Sequence, residues 1–165
     1  MVSRFKTNEN IRSRNDFKNI MPISFEIFEF LGDKEDLMQM LRLGNREYSK
    51  KFMGEVCELN FIYPNKVFIA KKENKVIGFI RYQIANEEMS NILIAVDYNN
   101  IERGVSDELI QECIKTAKEL KVRQIRARIF KKNFLGKNLF ERNGFKVDLI
   151  SVYGYVMYEA ILKNK

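Results

Sequence analysis

Asn91-Ile92-Leu93-Ile94-Ala95-Val96, followed by the polar Asp97-Tyr98-Asn99-Asn100-Ile101-Glu102-Arg103-Gly104, decides how this chain folds. The first six residues suit a buried strand and are too short to span a membrane. Beyond the polar loop the period changes. Ile110, Cys113, Ile114, Ala117 and Leu120 recur at helical spacing, with Gln111, Glu112, Lys115, Lys118 and Glu119 round the polar side. Ile125, Ala127 and Ile129 then alternate with Gln124, Arg126 and Arg128, which predicts a strand. Strand, helix and strand at this spacing form a crossover unit, so the two strands run parallel. A link through Asn133 leads to a short helix around Leu135, Leu139 and Phe140, stopped by Asn143-Gly144.

Upstream, Lys66 to Lys72 and Lys75 to Ile84 read as two strands about a tight Glu73-Asn74 turn. The asparagine suits the left-handed conformation such a turn needs. Gly78 in the second strand allows a bulge or the close approach of another backbone. Asn86-Glu87-Glu88 turns the chain into the central strand. Further back, Ile23 to Leu31 is a strand candidate, ended by Gly32-Asp33, where Asp33 is placed to cap a helix. That helix carries Leu37, Leu41, Tyr48 and Phe52 on one stripe, and Gly44 is a candidate break within it. Met38 and Met40 read as core filler. Downstream, Lys146 to Val152 and Tyr155 to Leu162 form a closing pair about Gly154. The expected fold is a mixed α/β sheet of six or seven strands with helices on both faces. Residues 1–20, with Arg4, Lys6, Arg12, Arg14 and Lys18 among Asn and Ser, read as a basic polar extension, and residues 21–165 as one domain.

A length of 165 residues suits a single core, and 45% hydrophobic with 31% charged residues belongs to the soluble globular class. No segment reads as a signal peptide or a membrane span, so a cytoplasmic protein is expected. The net charge of +7 favours acidic ligands. There is no histidine, which excludes a histidine-based triad and a histidine-ligated metal. Cys57 and Cys113 make neither a disulfide framework nor a zinc site, and Cys113 reads as a buried free thiol.

The first turn of a helix carries N–H groups with no partner inside the helix, and its dipole favours an anion. Arg103, Gly104, Val105 and Ser106 therefore fit a diphosphate, with Gly104 letting the backbone come close. Read alone, the same residues also make an ordinary Ser106-capped helix start with Asp107 and Glu108 in turn one.

In order, these features resemble the GNAT superfamily of N-acetyltransferases. That family carries roughly Gln/Arg-x-x-Gly-x-Gly/Ala after its central strand, then Asn, a helix and Tyr-x-x-x-Gly-Phe. Here Ile101-Glu102-Arg103-Gly104-Val105-Ser106, Asn133 and Phe140-Glu141-Arg142-Asn143-Gly144-Phe145 stand at those places. Gly104, Asn133 and Gly144-Phe145 match, whereas Ile101, Ser106 and Phe140 depart; the likeness covers residues 66 to 162. It implies acetyl-coenzyme A (acetyl-CoA) as cofactor. The acetyl group would pass to a small-molecule or peptide amine without a covalent enzyme intermediate. It also implies a central strand splayed from its parallel neighbour, with unpaired backbone groups facing the pantetheine. The implied cofactor residues are Ile94, Ala95, Val96, Arg103, Gly104, Val105, Ser106 and Asn133.

No catalytic residue follows. The tyrosine acid of many relatives is Phe140 here, which has no proton to give. Tyr153, Tyr155 and Tyr158 are available substitutes, and Glu87 and Glu88 stand where some relatives hold a base. The alternative is a catalytically silent member of the fold that binds acyl-CoA or serves as an interaction module. Nucleic-acid binding through Arg123, Arg126, Arg128, Lys131 and Lys132 lacks a supporting motif. No membrane partner is expected, and a homodimer is left open.

Overall fold

The computed structural model describes residues 25–53, 65–150 and 153–162, without the side chains of Phe52, Met53, Ile101, Glu102, Arg103 and Ile150. The predicted extension 1–20 and Cys57 lie outside the described residues. Seven strands form one sheet in the order β1-β2-β3-β4-β5-β7-β6. They are β1 (Glu26–Glu29), β2 (Lys66–Lys72), β3 (Lys75–Ala85), β4 (Glu88–Val96), β5 (Gln124–Phe130), β6 (Lys146–Ile150) and β7 (Tyr155–Ile161). Every neighbouring pair is antiparallel except β4 and β5, which the crossover helix α2 (Val105–Glu119) joins in parallel.

Strand alternation divides the core between two faces. On one, Phe68, Ala70, Ile92 and Val96 pack with Val105, Leu109, Ile110 and Cys113 of α2, and with Leu139 and Phe140 of α3 (Phe134–Arg142). On the other, Val67, Ile69, Phe79, Leu93 and Ala95 meet Met40 and Leu43 of α1 (Lys34–Gly44). Each fully buried side chain of this size contributes about 1.5–3 kcal/mol. Cys113 is a buried free thiol, as its place on the apolar helix face predicts, and burial pushes its pKa up.

Several local expectations need adjustment. β1 is shorter than Ile23 to Leu31, and residues 23 and 24 are outside the described residues. In the β2–β3 turn Glu73, not Asn74, takes the left-handed backbone, at φ 56°. Gly78 lies at a β-bulge, as the sequence allows: Ala70 pairs with Gly78 but Lys71 with Val76, so Ile77 is an extra residue of β3, and a β-carbon at Gly78 would lie 3.1 Å from both Val105 Cγ1 and Val96 Cγ2. Asp33 does cap α1, its Oδ1 accepting from Asp36 N at 2.9 Å. Gly44 does not break the helix. A lone helical glycine costs only about 1 kcal/mol, and Gly44 is buried. α1 runs on into a π-helical segment, Asn45–Met53.

β4 also begins before Asn91, at Glu88, and carries a bulge. Arg81 faces Leu93 while Gln83 faces Ser90, so β4 holds one extra residue. Asn91 accommodates it at φ 52° and donates through Nδ2 to Gln83 Oε1 at 2.6 Å. Bulges bend the strand that carries them. Before the bulge, Glu88 pairs with Gln124 and Met89 with Ile125; after it, no further β4–β5 pair forms among the described residues. The two parallel strands part, and a cleft lies along β4 at Ile94 to Val96, beyond the end of their pairing.

Candidate functional site

The cleft has a volume of about 320 Å³ and is lined from both faces of the sheet. Ile94, Ala95 and Val96 form its strand wall. Ser106 of α2 and the stretch from Lys132 through Asn133 to Gly136 line one side, and Glu47, Tyr48 and Lys51 of the π-helical segment line the other. A larger and more open hollow, about 930 Å³ between α1 and the β2–β3 turn, touches none of the predicted site residues.

Of the eight predicted cofactor residues, Ile94, Ala95, Val96, Ser106 and Asn133 line the cleft. Gly104 holds the entry to α2 with φ 78° and ψ 9°, a left-handed conformation that suits glycine. Val105 points into the core, wholly buried, which leaves only its backbone at the loop. Arg103 ends a 3-10 turn, Tyr98–Arg103, and its side chain is outside those described. Ser106 does not cap α2. Gly104 occupies the cap position and no side chain caps the helix, so the anion-favouring character of its start persists. Asn133 caps α3, its Oδ1 accepting from Gly136 N at 2.9 Å.

The first-turn acid Asp107 is already paired. Arg142 donates Nε to Oδ1 and Nη2 to Oδ2, each at 2.8 Å, and Asn143 Nδ2 donates to Oδ1 at 2.8 Å. The bonds from Arg142 hold this carboxyl below its ordinary value against the opposing effect of burial, with Asn143 and the Arg142 charge adding to them. Asp107 therefore does not confront an incoming anion as an uncompensated charge.

Glu47, Lys51, Lys132 and Arg142 also line the cleft and were not predicted. The Glu47 carboxylate accepts from Arg46 Nε at 2.9 Å and from Lys51 Nζ at 2.7 Å. Burial pushes its pKa up, but the bonds and charges of Lys51 and Arg46 together outweigh it, so the group lies below its ordinary value. Next to it, Tyr48 is pushed up to about 12 by burial. The Glu47-to-Lys51 spacing of four is visible in the sequence, but it is also that of an ordinary surface pair on a helix.

None of the suggested acids and bases lines the cleft. Phe140 is wholly buried, its ring edge-on to Phe145 at 5.0 Å and 6.3 Å from Tyr158. Tyr158 is buried beside it and donates to Glu141 Oε1 at 2.8 Å. Burial first, then Glu141, pushes its pKa up to about 12. Tyr153 is exposed. Tyr155 packs on Phe130. Glu87 pairs with Arg123 at 2.6 Å beside the opening of β4, away from Ile94 to Val96. The basic cluster is divided among partners: Arg126 meets Asp148 at 2.7 Å, Arg128 lies over Tyr155, and Lys132 turns to the cleft. No described helix is long and apolar enough to cross a membrane.

A seven-stranded mixed sheet parted between two parallel strands, with an uncapped helix start beside the gap, is the acetyltransferase arrangement that the sequence resemblance implies. The chain belongs to the acetyltransferase (GNAT) domain family, whose model matches residues 64–147. Solved structures of the same fold include the PaiA N-acetyltransferase of Thermoplasma acidophilum in complex with coenzyme A. It has 18% identity and a TM-score of 0.72 over 84% of this chain and 99% of that one. YncA, a putative acetyltransferase from Salmonella typhimurium with its cofactor acetyl-CoA, has 13% identity and a TM-score of 0.68 over 86% and 96%. The ribosomal-protein-S18-alanine N-acetyltransferase of Escherichia coli has 17% identity and a TM-score of 0.66 over 83% and 93%. No curated protein is matched by the sequence.

Proposed function

We propose that this protein is an acetyl-CoA-dependent N-acetyltransferase acting on an amine acceptor, with residues 21–165 as its single catalytic domain. The observation that carries this reading is the loss of β4–β5 pairing beyond Met89 next to an α2 start that no side chain caps. The edge of β4 at Ile94, Ala95 and Val96 offers backbone donors and acceptors that fit pantetheine amides. The backbone of Arg103, Gly104, Val105 and Ser106 fits the diphosphate, with Lys132 adding positive charge along the cleft. The coenzyme A of the PaiA structure and the acetyl-CoA of the YncA structure support acetyl-CoA as the cofactor.

Bound acetyl-CoA supplies an activated thioester. The chain supplies position and charge. Glu47 is the only carboxylate among the described lining residues, and it would draw the amine of an acceptor toward the strand wall. Held below its ordinary value, it is a poor proton acceptor, so it acts mainly as a fixed negative charge. Tyr48 keeps its proton at neutral pH, and its hydroxyl is the candidate donor toward a departing sulfur.

Calorimetric titration with acetyl-CoA, followed by release of coenzyme A across an amine panel, tests the reading. Saturable binding at one site and turnover with at least one amine are expected. Binding without turnover on any amine would leave a silent acyl-CoA binder. Undetectable binding at millimolar cofactor would remove both.

A further inference from the structure

On the α1 side of the sheet, an aromatic and cationic cluster adjoins the cleft. The ring of Tyr48, a lining residue, lies 5.9 Å from Phe130. Phe130 lies 4.6 Å from Tyr155, its cross-strand partner on β7. The guanidinium of Arg128 sits 4.8 Å from the centre of the Tyr155 ring. Arg128 and Phe130 are two residues apart on β5, so both project to this face. The charges of Arg81 and Arg128 reach the Tyr48 hydroxyl, and Lys51 stands on the same side of the cleft.

With the cofactor entering beside α2 and α3, an acceptor must approach from this opposite side. What it meets there, among the described residues, is mostly positive charge. Glu47, the single carboxylate among the described lining residues, is already bonded by Arg46 and Lys51. A polyamine would bring like charge against Arg128, whereas a carboxylate would find a guanidinium placed over the Tyr155 ring, 4.8 Å from its centre. Arginine in that posture matches both oxygens of a carboxylate.

We infer that the acceptor is an amine bearing a carboxylate close by, either a free amino acid or a peptide whose N-terminus is followed by an acidic residue, and that Arg128 determines this specificity. The inference rests on the proposed acetyl transfer. Glu47 then faces the amine end and Arg128 the acid end of one acceptor.

The test compares matched acceptors: free glutamate against glutamine amide, a Ser-Glu peptide against a Ser-Gln peptide, and spermidine. Wild type should favour the acidic member of at least one pair, and the pair that responds identifies the free amino acid or the peptide as the source. Arg128→Gln should raise KM for that acidic acceptor on the order of tenfold more than for its neutral counterpart, since a charge-assisted bidentate contact is lost. Arg128→Lys should restore part of the preference. Arg128 is exposed, so the fold should tolerate both changes, and a thermal melt checks this. Equal use of acidic and neutral acceptors, a preference for spermidine, or an equal effect of Arg128→Gln on every acceptor overturns the inference while acetyl transfer stands. Failure to bind acetyl-CoA, or binding with no acetylation of any amine, overturns both.

Discussion

Two helices begin on the rim of the cleft, and they begin in opposite ways. α2 starts from Gly104 in a left-handed conformation with no capping side chain. α3 starts from Asn133, whose side chain closes onto Gly136 N. Both positions belong to the motif that resembles the family, and both were expected to meet the cofactor. One start is left without a side-chain cap, while the other is satisfied within the chain. A motif residue at a helix start thus becomes informative only when the destination of the first-turn N–H groups is known. The two starts are also fastened together, because Asp107 of the open helix is clamped by Arg142 and Asn143 at the end of the closed one.

If the start of α2 faces the ligand and the Phe140 face of α3 is packing, substitutions in them should fail differently. The largest effect is expected at Phe140, buried against Phe145 and Tyr158. Phe140→Tyr puts a hydroxyl into a wholly buried site, and a buried group left unsatisfied costs about 1–3 kcal/mol. Urea denaturation should show that loss, with no gain in coenzyme A release. A rise in turnover at unchanged stability would move α3 into the chemistry and break the contrast. Next comes Gly104→Val. Space is not the obstacle, since nothing lies within 4 Å of an added β-carbon. The left-handed backbone is, at about 1–2 kcal/mol for a residue with a β-carbon. Acetyl-CoA affinity should fall as well, because a branched side chain then stands before the helix start. Unchanged affinity in calorimetry would mean that this loop is not the anion site.

The sheet was legible because alternation and turn residues recur along β2, β3 and β5, and each boundary there falls within a residue or two of its expected place. The parting of β4 from β5 was not read from the residues themselves. It follows from one extra residue near Asn91, an asparagine that reads equally well as the start of a strand. The acceptor side was hidden for another reason. Glu47 and Lys51 look like an ordinary surface pair on a helix, and only the π-helical continuation after Gly44 shows Tyr48 and both charges turned to the cleft. Val105 shows the limit of reading a loop as a unit: its neighbour Ser106 lines the cleft, while its own side chain is core. Phe140 stands both at the place of the relatives' acid and on the apolar side of its helix, and its complete burial decides for packing.

A subtler contrast concerns Gly136. A β-carbon there would lie 2.6 Å from Asn133 Nδ2, so Gly136→Ala must push the cap aside. Loss of an Asn cap costs about 1 kcal/mol. In an Asn133→Ala background the obstruction is gone, and the same alanine should instead stabilise by several tenths of a kcal/mol through its better helix propensity. A double-mutant cycle in urea would reveal this reversal of sign. Additive effects would mean that Asn133 is not the cap in solution. A cofactor affinity that falls tenfold with Asn133→Ala would show that α3's start meets the ligand too.

The smallest expected effect concerns the clamp between the two helices. Both partners of the Asp107–Arg142 pair are partly exposed, with side-chain exposures of 37% and 52%, so solvent weakens it. Even with two-point geometry, Asp107→Asn should cost only about 0.5–1 kcal/mol. The sign with pH is fixed by direction. The folded carboxyl titrates below its ordinary value, so the clamp is fully present above that value and is lost as pH falls through the lower, folded one. The gap in urea stability between wild type and Asp107→Asn should therefore be full at neutral pH and close as the solution is acidified below the ordinary aspartate range. Molar salt at neutral pH should shrink the same gap. Acetyl-CoA affinity tests what the clamp does for α2. If Asp107 only fastens the helices, its loss leaves affinity nearly unchanged. If its charge still opposes the diphosphate, Asp107→Asn binds acetyl-CoA more tightly, and the first turn of α2 is less open to an anion than its geometry indicates.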